Sequence, residues 1–444
     1  MAIQSVRGMK DVLPPEAPRW QFIEATAREV LESFGFAQIR TPVLERTELF
    51  ARSIGEDTDI VEKEMYTFAD RSGEAVTMRP EATAGIVRAF LEHSLYATPG
   101  PHKLYFLGPM FRHERPQKGR LRQFHQIDVE VLDDAGPQVD AELHVLVDHL
   151  LTRLGLSNVK LVINSLGCPQ CRPAFKQALV EYFQGQKARL CPDCLRRLAH
   201  NPLRVLDCKV EGCKAAAKGS PLISQFWCPD CRTHFDEVRR LTEMAGVSFE
   251  TNPRLVRGLD YYTRTTFEVK TGELGAQDAV AGGGRYDNLV EALGGPARPC
   301  TGFALGLERL ALLVPERPEW RQGPELFIVS LGEAPRRLAF YLCQELRKRR
   351  HMRVEMSNED KSLKAQLRRA NKDGARWVLF LGGEELSSSQ AQLKQMSQGR
   401  QFEVAMGRVG DFFKNLEGPE MDNKVLAGII DDFVDAICAK IKTG

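Results

Sequence analysis

The segment Phe106 to Leu132, FLGPMFRHERPQKGRLRQFHQIDVEVL, constrains the fold of this chain more than any other. Two apolar arms of strand character flank a polar insert, His113 to Arg120, whose Pro116 and Gly119 are turn formers. The segment therefore reads as a hairpin with a long tip, and alternation sorts its faces. Ile127, Val129 and Val131 fall on a core side, whereas Arg122, Phe124, Gln126 and Glu130 fall on the other. Ordinary solvated hairpins also alternate. Their tips do not gather Arg112, Arg115, Lys118, Arg120 and Arg122, because such a cluster repels itself unless it meets an anion such as phosphate.

A chain of 444 residues is expected to form about two or three domains with ample core. Its 43% hydrophobic and 27% charged residues are those of a soluble protein. With neither an apolar run of membrane-spanning length nor a charged-then-apolar leader, no membrane association and a cytoplasmic location are expected. The formal charge of +2 conceals a polarity: residues 336–376 hold 13 Lys+Arg against 5 Asp+Glu.

Along the chain, Trp20, Ile23, Ala27, Val30, Leu31 and Phe34 recur at helical spacing, closed by Gly35. Phe36 to Leu44 is strand-like but holds Pro42, which points to an edge or an interface. Short strands are expected at Met65 to Phe68 and Ala75 to Met78, then a helix opened by Pro80 and Glu81, where an acid also suits the helix dipole. An amphipathic helix at Leu143 to Leu154 and a strand at Lys160 to Ile163 follow.

Cysteines then come in pairs, Cys168/Cys171, Cys191/Cys194, Cys208/Cys213 and Cys228/Cys231, three of them as Cys-Pro-x-Cys turns. Eight thiolates can fill two structural zinc sites with no open coordination position; free buried thiols are the other reading. The long gap between Cys194 and Cys228 speaks against a standard ribbon.

Three further stretches carry chemistry. RLVRGLDYYTRTTFEVK, Arg254 to Lys270, sets Arg257 in an apolar, strand-rich setting where a buried cation needs an anionic partner. AGGGRYDNLVEALGG, Ala281 to Gly295, lacks the features of a phosphate loop, and its glycines suit close approach of backbone to a small ligand. TGFALGLERLALLV, Thr301 to Val314, reads as a strand passing into a helix buried almost all round, against which Arg309 stands out.

FRHERPQKGRLRQFHQ resembles motif 2 of the class II aminoacyl-tRNA synthetases in its histidyl-tRNA synthetase form. LVRGLDYY and AGGGRYDNLVEALGG resemble the two histidyl-specific peptides, and the Arg309 stretch resembles motif 3, so the resemblance covers nearly the whole chain. It implies ATP-dependent activation of L-histidine and transfer to tRNA(His), with Mg2+ on the polyphosphate and a homodimer built on the first helix and strand. Arg112 and Arg257 would act at the α-phosphate, with Glu114, Phe124 and Arg309 around the adenine. Glu81, Thr83 and Gln126 would take the α-ammonium and Arg257 the carboxylate of histidine. Glu130 and Tyr262 would take its imidazole, with Tyr286 lining the pocket. A non-catalytic, histidine-sensing regulatory subunit of ATP phosphoribosyltransferase is the competing resemblance.

Past a Pro-rich linker, strands and helices alternate: Leu326 to Leu331, Arg336 to Arg349, Arg353 to Met356, Ser362 to Lys372 and Trp377 to Leu381. A mainly parallel sheet is expected. Leu363, Leu367 and Ala370 should face its core and Lys364, Arg368 and Lys372 the outside, while Val425, Ile429 and Phe433 form the apolar side of a last helix. The resemblance makes this an anticodon-binding module, with Arg115, Lys118, Arg120, Lys364 and Arg368 as tRNA contacts. The expected architecture is an α+β catalytic domain on a mainly antiparallel sheet (1–160 and 251–318), an inserted helical, Cys-rich subdomain (161–250) and a C-terminal α/β domain (325–444).

Overall fold

The computed structural model describes residues 3–55, 58–274, 278–321, 323–357, 359, 361–407 and 423–443. The chain divides into two compact units, Met1–Pro315 and Glu316–Gly444. Strands of the first unit are β1 (Ala37–Gln38), β2 (Leu44–Arg46), β3 (Tyr66–Ala69), β4 (Ala75–Met78), β5 (His102–Phe111), β6 (Gln123–Leu132), β7 (Lys160–Ser165), β8 (Phe249–Thr251), β9 (Thr263–Lys270), β10 (Ala279–Arg285) and β11 (Cys300–Gly306). Eight of them form one sheet in the order β1-β5-β6-β11-β10-β9-β7-β8. Every pairing is antiparallel except β1 with β5 and β7 with β8, at the two edges. The mainly antiparallel sheet expected from the sequence is therefore present.

The hairpin is β5 and β6, paired from His102 with Leu132 to Phe111 with Gln123. Its tip leaves the ladder after Arg112, whose amide donates to the Arg122 carbonyl at 2.9 Å. Gly119 sits at φ +72°, a left-handed turn conformation that favours glycine. Ile127, Val129 and Val131 are fully buried, as alternation requires. The helix Ala17–Ser33 packs on the helix Pro137–Arg153, which in turn packs against β10 and β11.

Several local expectations shift. The run Phe36 to Leu44 is broken around Pro42 into β1 and the start of β2, leaving Val43 and Leu44 exposed. The helix expected at Pro80 begins at Thr83, because the Glu81 carboxylate occupies its N-terminus. The helix Leu307–Leu313 is not buried all round: Leu307 and Leu310 are inside, but Leu312 is 46% exposed.

Between β7 and β8 lie the helices Arg172–Gln184, Pro192–His200, Glu211–Ala217 and Pro229–Met244. The first three share a core that includes Leu166, Phe175, Leu179, Phe183 and Val205, whereas the fourth packs on the helix Pro137–Arg153. Pro192 and Pro229 sit in the first turn, where the missing N–H costs nothing, so each Cys-Pro turn launches a helix.

In the second unit β12 (Leu326–Ser330) is flanked in parallel by β13 (Val354–Met356) and β14 (Trp377–Leu381). Two strands absent from the expectation, β15 (Gln390–Gln395) and β16 (Gln401–Ala405), extend the sheet antiparallel, so it is mixed rather than mainly parallel. On the helix Leu363–Lys372, Ala370 is buried but Leu363 is 39% exposed. Gln366 takes the core position instead, its amide nitrogen donating to the Ser330 carbonyl at 2.8 Å and its oxygen accepting from the Ser330 amide at 3.1 Å. Phe433 is buried on the last helix, Asn423–Thr443, whereas the side chains of Val425 and Ile429 lie outside the described residues. No described helix is long and apolar enough to cross a membrane.

Candidate active site

A cavity of about 510 Å3 opens on the face of the sheet that carries Phe124, Gln126 and Glu130. All the side chains expected to bind ATP or histidine line it: Glu81, Thr83 and Gln126 with Arg112, Glu114 and Phe124, then Glu130, Arg257, Tyr262, Tyr286 and Arg309. They come from β6, the hairpin tip, the start of the helix Thr83–Glu92, and the segments beside β9, β10 and β11. Convergence of residues so distant in sequence is the work of the sheet order, which makes β6 and β11 neighbours.

At the deep end three carboxyls are buried together, Glu81, Asp128 and Glu130. The Thr83 hydroxyl donates to Glu130 Oε1 at 2.6 Å and the Tyr286 hydroxyl donates to Oε2. Burial nonetheless pushes the Glu130 carboxyl up to about 8, since the two hydroxyls do not replace lost water and the neighbouring Glu81 adds to the rise. Asp128 is held well above the usual carboxylate range, first by burial and then by Glu130 and Glu81. Glu81 is also raised by burial, although its oxygens accept from the Thr83 and Ala84 amides at 2.8 and 2.9 Å. Gln126 Oε1 and Asp128 Oδ2 are buried with no hydrogen-bond partner among the described residues. Acceptors left bare in this way are what an ammonium or N–H ligand would satisfy.

At the mouth the charge reverses. Arg257 pairs with Glu268 and its guanidinium carbon stands 5.5 Å from the Tyr262 ring centroid. Arg112 donates to the Pro80 carbonyl at 2.8 Å and lies 5.1 Å from the Phe124 centroid, so a cation already covers that ring. Glu114, raised by burial, pairs with Arg120 at 3.0 Å. Arg309 donates to the carbonyls of Ala279 and, at 3.4 Å, Gly119, tying the hairpin tip to β10. Behind them Glu308 accepts from the His125 amide at 3.0 Å and meets its ring nitrogen at 3.1 Å, which fixes β6 against the last helix of the unit.

The glycines of β10 and β11 make room for side chains of the protein itself. A Cβ on Gly282 would run into the Arg257 guanidinium, and one on Gly302 into the Glu130 carboxylate. Sequence reading passed over Asp128, Tyr261, Glu268 and Arg204, all on the cavity wall. Asp128 carried a signal in its parity with Gln126 and Glu130, and Tyr261 and Glu268 stand in the stretch Arg254 to Lys270 already singled out, whereas Arg204 carried none. Among the expected tRNA contacts Arg120 lines the cavity, while Arg115 and Lys118 are exposed at the tip. In the second unit Lys364 and Arg368 are exposed beside Leu363 and Leu367 on one helix face.

Residues 8–310 match the family model for histidyl-tRNA synthetase. The chain belongs to the histidyl-tRNA synthetase family. Residues 325–416 match the anticodon binding domain. Among curated histidyl-tRNA synthetases, the histidine–tRNA ligase of Desulfosudis oleivorans is 55% identical over 409 residues, covering 92% of this chain and 96% of the relative. That of Trichlorobacter lovleyi is 53% identical over 401 residues, covering 90% and 95%. The apo histidyl-tRNA synthetase structure from S. aureus superposes with a TM-score of 0.77 at 33% identity, covering 93% of this chain and all of that one. A structure described as an ATP phosphoribosyltransferase regulatory subunit/histidyl-tRNA synthetase from Bacillus halodurans C, 22% identical with a TM-score of 0.63 over 86% of this chain and 99% of its own, shares the fold. The synthetase pocket thus pairs an acidic, proton-holding floor with a cationic rim.

Proposed function

We infer that this chain is a histidine–tRNA ligase: it joins L-histidine to ATP, forming histidyl-adenylate and pyrophosphate, and passes the histidyl group to the 3′ end of tRNA(His). The observation that carries this reading is the meeting, in one cavity, of buried acceptors on Glu130, Gln126 and Asp128 with the guanidinium groups of Arg112 and Arg257. The first suit an ammonium and an imidazole N–H, and the second a polyphosphate. The match of residues 325–416 to an anticodon-binding domain supports the ligase over a histidine sensor, which has no use for tRNA contacts.

The histidine carboxylate attacks the α-phosphorus as the bond to the β-phosphate breaks. Arg112 and Arg257 offset the charge that gathers on the phosphoryl oxygens, and positioning supplies much of the rest. Mg2+ arrives bound to the polyphosphate, as part of the nucleotide substrate. Glu114 takes the adenine amino group, and the base lies against Phe124 under Arg309, held by cation and ring together. Glu81, Thr83 and Gln126 hold the α-ammonium. Glu130 and Tyr262 hydrogen-bond the imidazole, while Tyr286 keeps Glu130 in place. An apolar side chain in that pocket would leave a buried carboxyl and phenol unpaired, which discriminates far better than one methylene can. The terminal ribose hydroxyl of the tRNA then attacks the adenylate carbonyl and AMP leaves.

Residues 161–250 are an inserted subdomain and 325–444 the anticodon module, with Arg115, Lys118, Arg120, Lys364 and Arg368 toward tRNA. Exposed Val43, Leu44 and Phe68 support a homodimer through the first helix and strand, and a cytoplasmic location goes with this role. Histidine-dependent ATP–pyrophosphate exchange over a panel of amino acids tests the reading: exchange with histidine alone is expected, and exchange driven by another amino acid overturns it.

A further inference from the structure

Histidine activation leaves the cysteine pairs unused, yet the fold brings them together in two groups. Sγ atoms of Cys168, Cys171, Cys228 and Cys231 all lie within 4.8 Å of one another, and those of Cys191, Cys194, Cys208 and Cys213 do the same. The pairing is nested rather than consecutive, so the long gap after Cys194 never has to be bridged within one site. Sulfur separations are 3.6 Å for Cys168 with Cys171, 3.9 Å for Cys168 with Cys228 and 3.8 Å for Cys191 with Cys208. Four ligands at the corners of a tetrahedron, each about 2.3 Å from a central zinc, stand about 3.8 Å apart. All eight are unpaired thiols.

Main-chain donors point at the sulfurs. The Cys228 amide donates to Cys171 Sγ at 3.1 Å and the Cys191 amide to Cys213 Sγ at 3.1 Å, as suits sulfurs that carry negative charge. The Cys171, Cys191 and Cys228 positions each cap the start of a helix of nine residues or more. Buried free thiols explain low exposure. They do not explain why eight of them gather four by four at coordination spacing from stretches up to sixty residues apart.

We propose that the chain holds two structural zinc ions, one on each four-cysteine cluster, and that the second ion anchors residues 201–209 to the wall of the active-site cavity. Each ion replaces the thiol protons of its four ligands and leaves no coordination position for substrate. Cys208 itself lines the cavity. Between the two arms of its cluster, Asn201 donates to Asp260 at 2.7 Å and Arg204 to the Arg257 carbonyl at 3.5 Å, while Arg197 pairs with Asp59 at 2.8 Å. The zinc closes the loop from Cys194 to Cys208, so the Asn201 and Arg204 contacts are presented as a unit to the peptide that carries Arg257. The anchoring rests on the reading of Arg257 as a residue of the activation site; the zinc does not.

Zinc is counted by plasma emission on the full chain, purified in zinc-supplemented, chelator-free buffer and then desalted. Two ions per chain are expected, one or none overturns the proposal, and Cys168→Ser and Cys191→Ser should each lose one. Anchoring is read by hydrogen–deuterium exchange in Cys191→Ser, where amides of 201–209 and 257–260 should exchange at least about tenfold faster while β5 and β6 stay protected. Unchanged exchange there overturns the anchoring. Should that variant not fold, wild-type chain stripped of zinc with an organomercurial gives the same comparison. A chain that binds two zinc ions but fails the amino-acid panel would sink the ligase reading and leave the metal sites standing.

Discussion

Gly302 stands directly opposite Glu130 in the β6–β11 ladder, and a Cβ there would overlap Glu130 Oε2 and lie 2.5 Å from the Val129 carbonyl oxygen. The floor of the cavity thus depends on a residue with no side chain. Gly302→Ala must displace either the carboxylate or the strand. We expect a loss of about 1–3 kcal/mol in urea unfolding and a rise of at least about tenfold in the histidine KM, and a variant with both values unchanged would contradict this geometry.

Glu130, held up to about 8, keeps its proton in the empty pocket at pH 7. An arriving ammonium and an imidazole N–H favour the ionised form, so histidine binding should release protons. Affinity is then expected to rise with pH between about 7 and 8, above the titration of the ligand's own imidazole near 6.5. Calorimetry in two buffers of different ionisation enthalpy measures the release, and Glu130→Gln should abolish most of it. The empty protein responds with the opposite sign. From the ordinary 4.5 up to about 8 the folded chain holds a proton that the unfolded chain has lost, so stability falls as pH rises through that window. The slope is at most about 1.4 kcal/mol per pH unit.

Arg257→Ala should lower histidine-dependent pyrophosphate exchange by about a hundredfold or more, the scale seen when a charge-stabilising donor is removed. The fold should survive, because Lys270 remains within 3.1 Å of the orphaned Glu268. A circular dichroism melt unchanged within a few degrees, alongside the lost exchange, is the expected pair of results.

Arg285 is a structural cation. It is buried, donates to Asp140 at 2.9 Å and to the Asp134 and Gly136 carbonyls at 2.9 and 2.8 Å, and Asp140 also meets His234 at 2.8 Å. Arg285→Met strips buried Asp140 of its guanidinium partner, for an expected cost of about 3–5 kcal/mol in urea unfolding. Tyr286 follows it in the chain, so histidine affinity should fall as well. An unchanged unfolding midpoint would show that the pairing carries no net stability.

Much of the site could be read from residues alone because strand parity and local motifs are short-range properties. Phe124, Gln126 and Glu130 share a face for the same reason that Ile127 and Val129 share the other. What escaped reading was set by tertiary neighbours. Glu268 and Arg204 become cavity residues only once β9 and the helical insert are folded beside Arg257. Gln366 displaces Leu363 from the core because a polar side chain can enter where the Ser330 backbone satisfies both ends of its amide. Strands β15 and β16, QAQLKQ and QFEVA, are too polar to announce themselves by composition. The cysteine partnership was invisible because spacing fixes each Cys-x-x-Cys turn but not which turn faces which.

The helical insert departs from β7 and returns at β8, neighbours in parallel at one edge of the large sheet, whereas the pocket is carried by β6, β9, β10 and β11. Material spliced in at a sheet's last two strands can grow, shrink or be exchanged without disturbing the register of the pocket strands. The chain therefore has a built-in graft point, where a designer could swap in a different module provided that it restores the wall that Arg204 and Cys208 give the pocket.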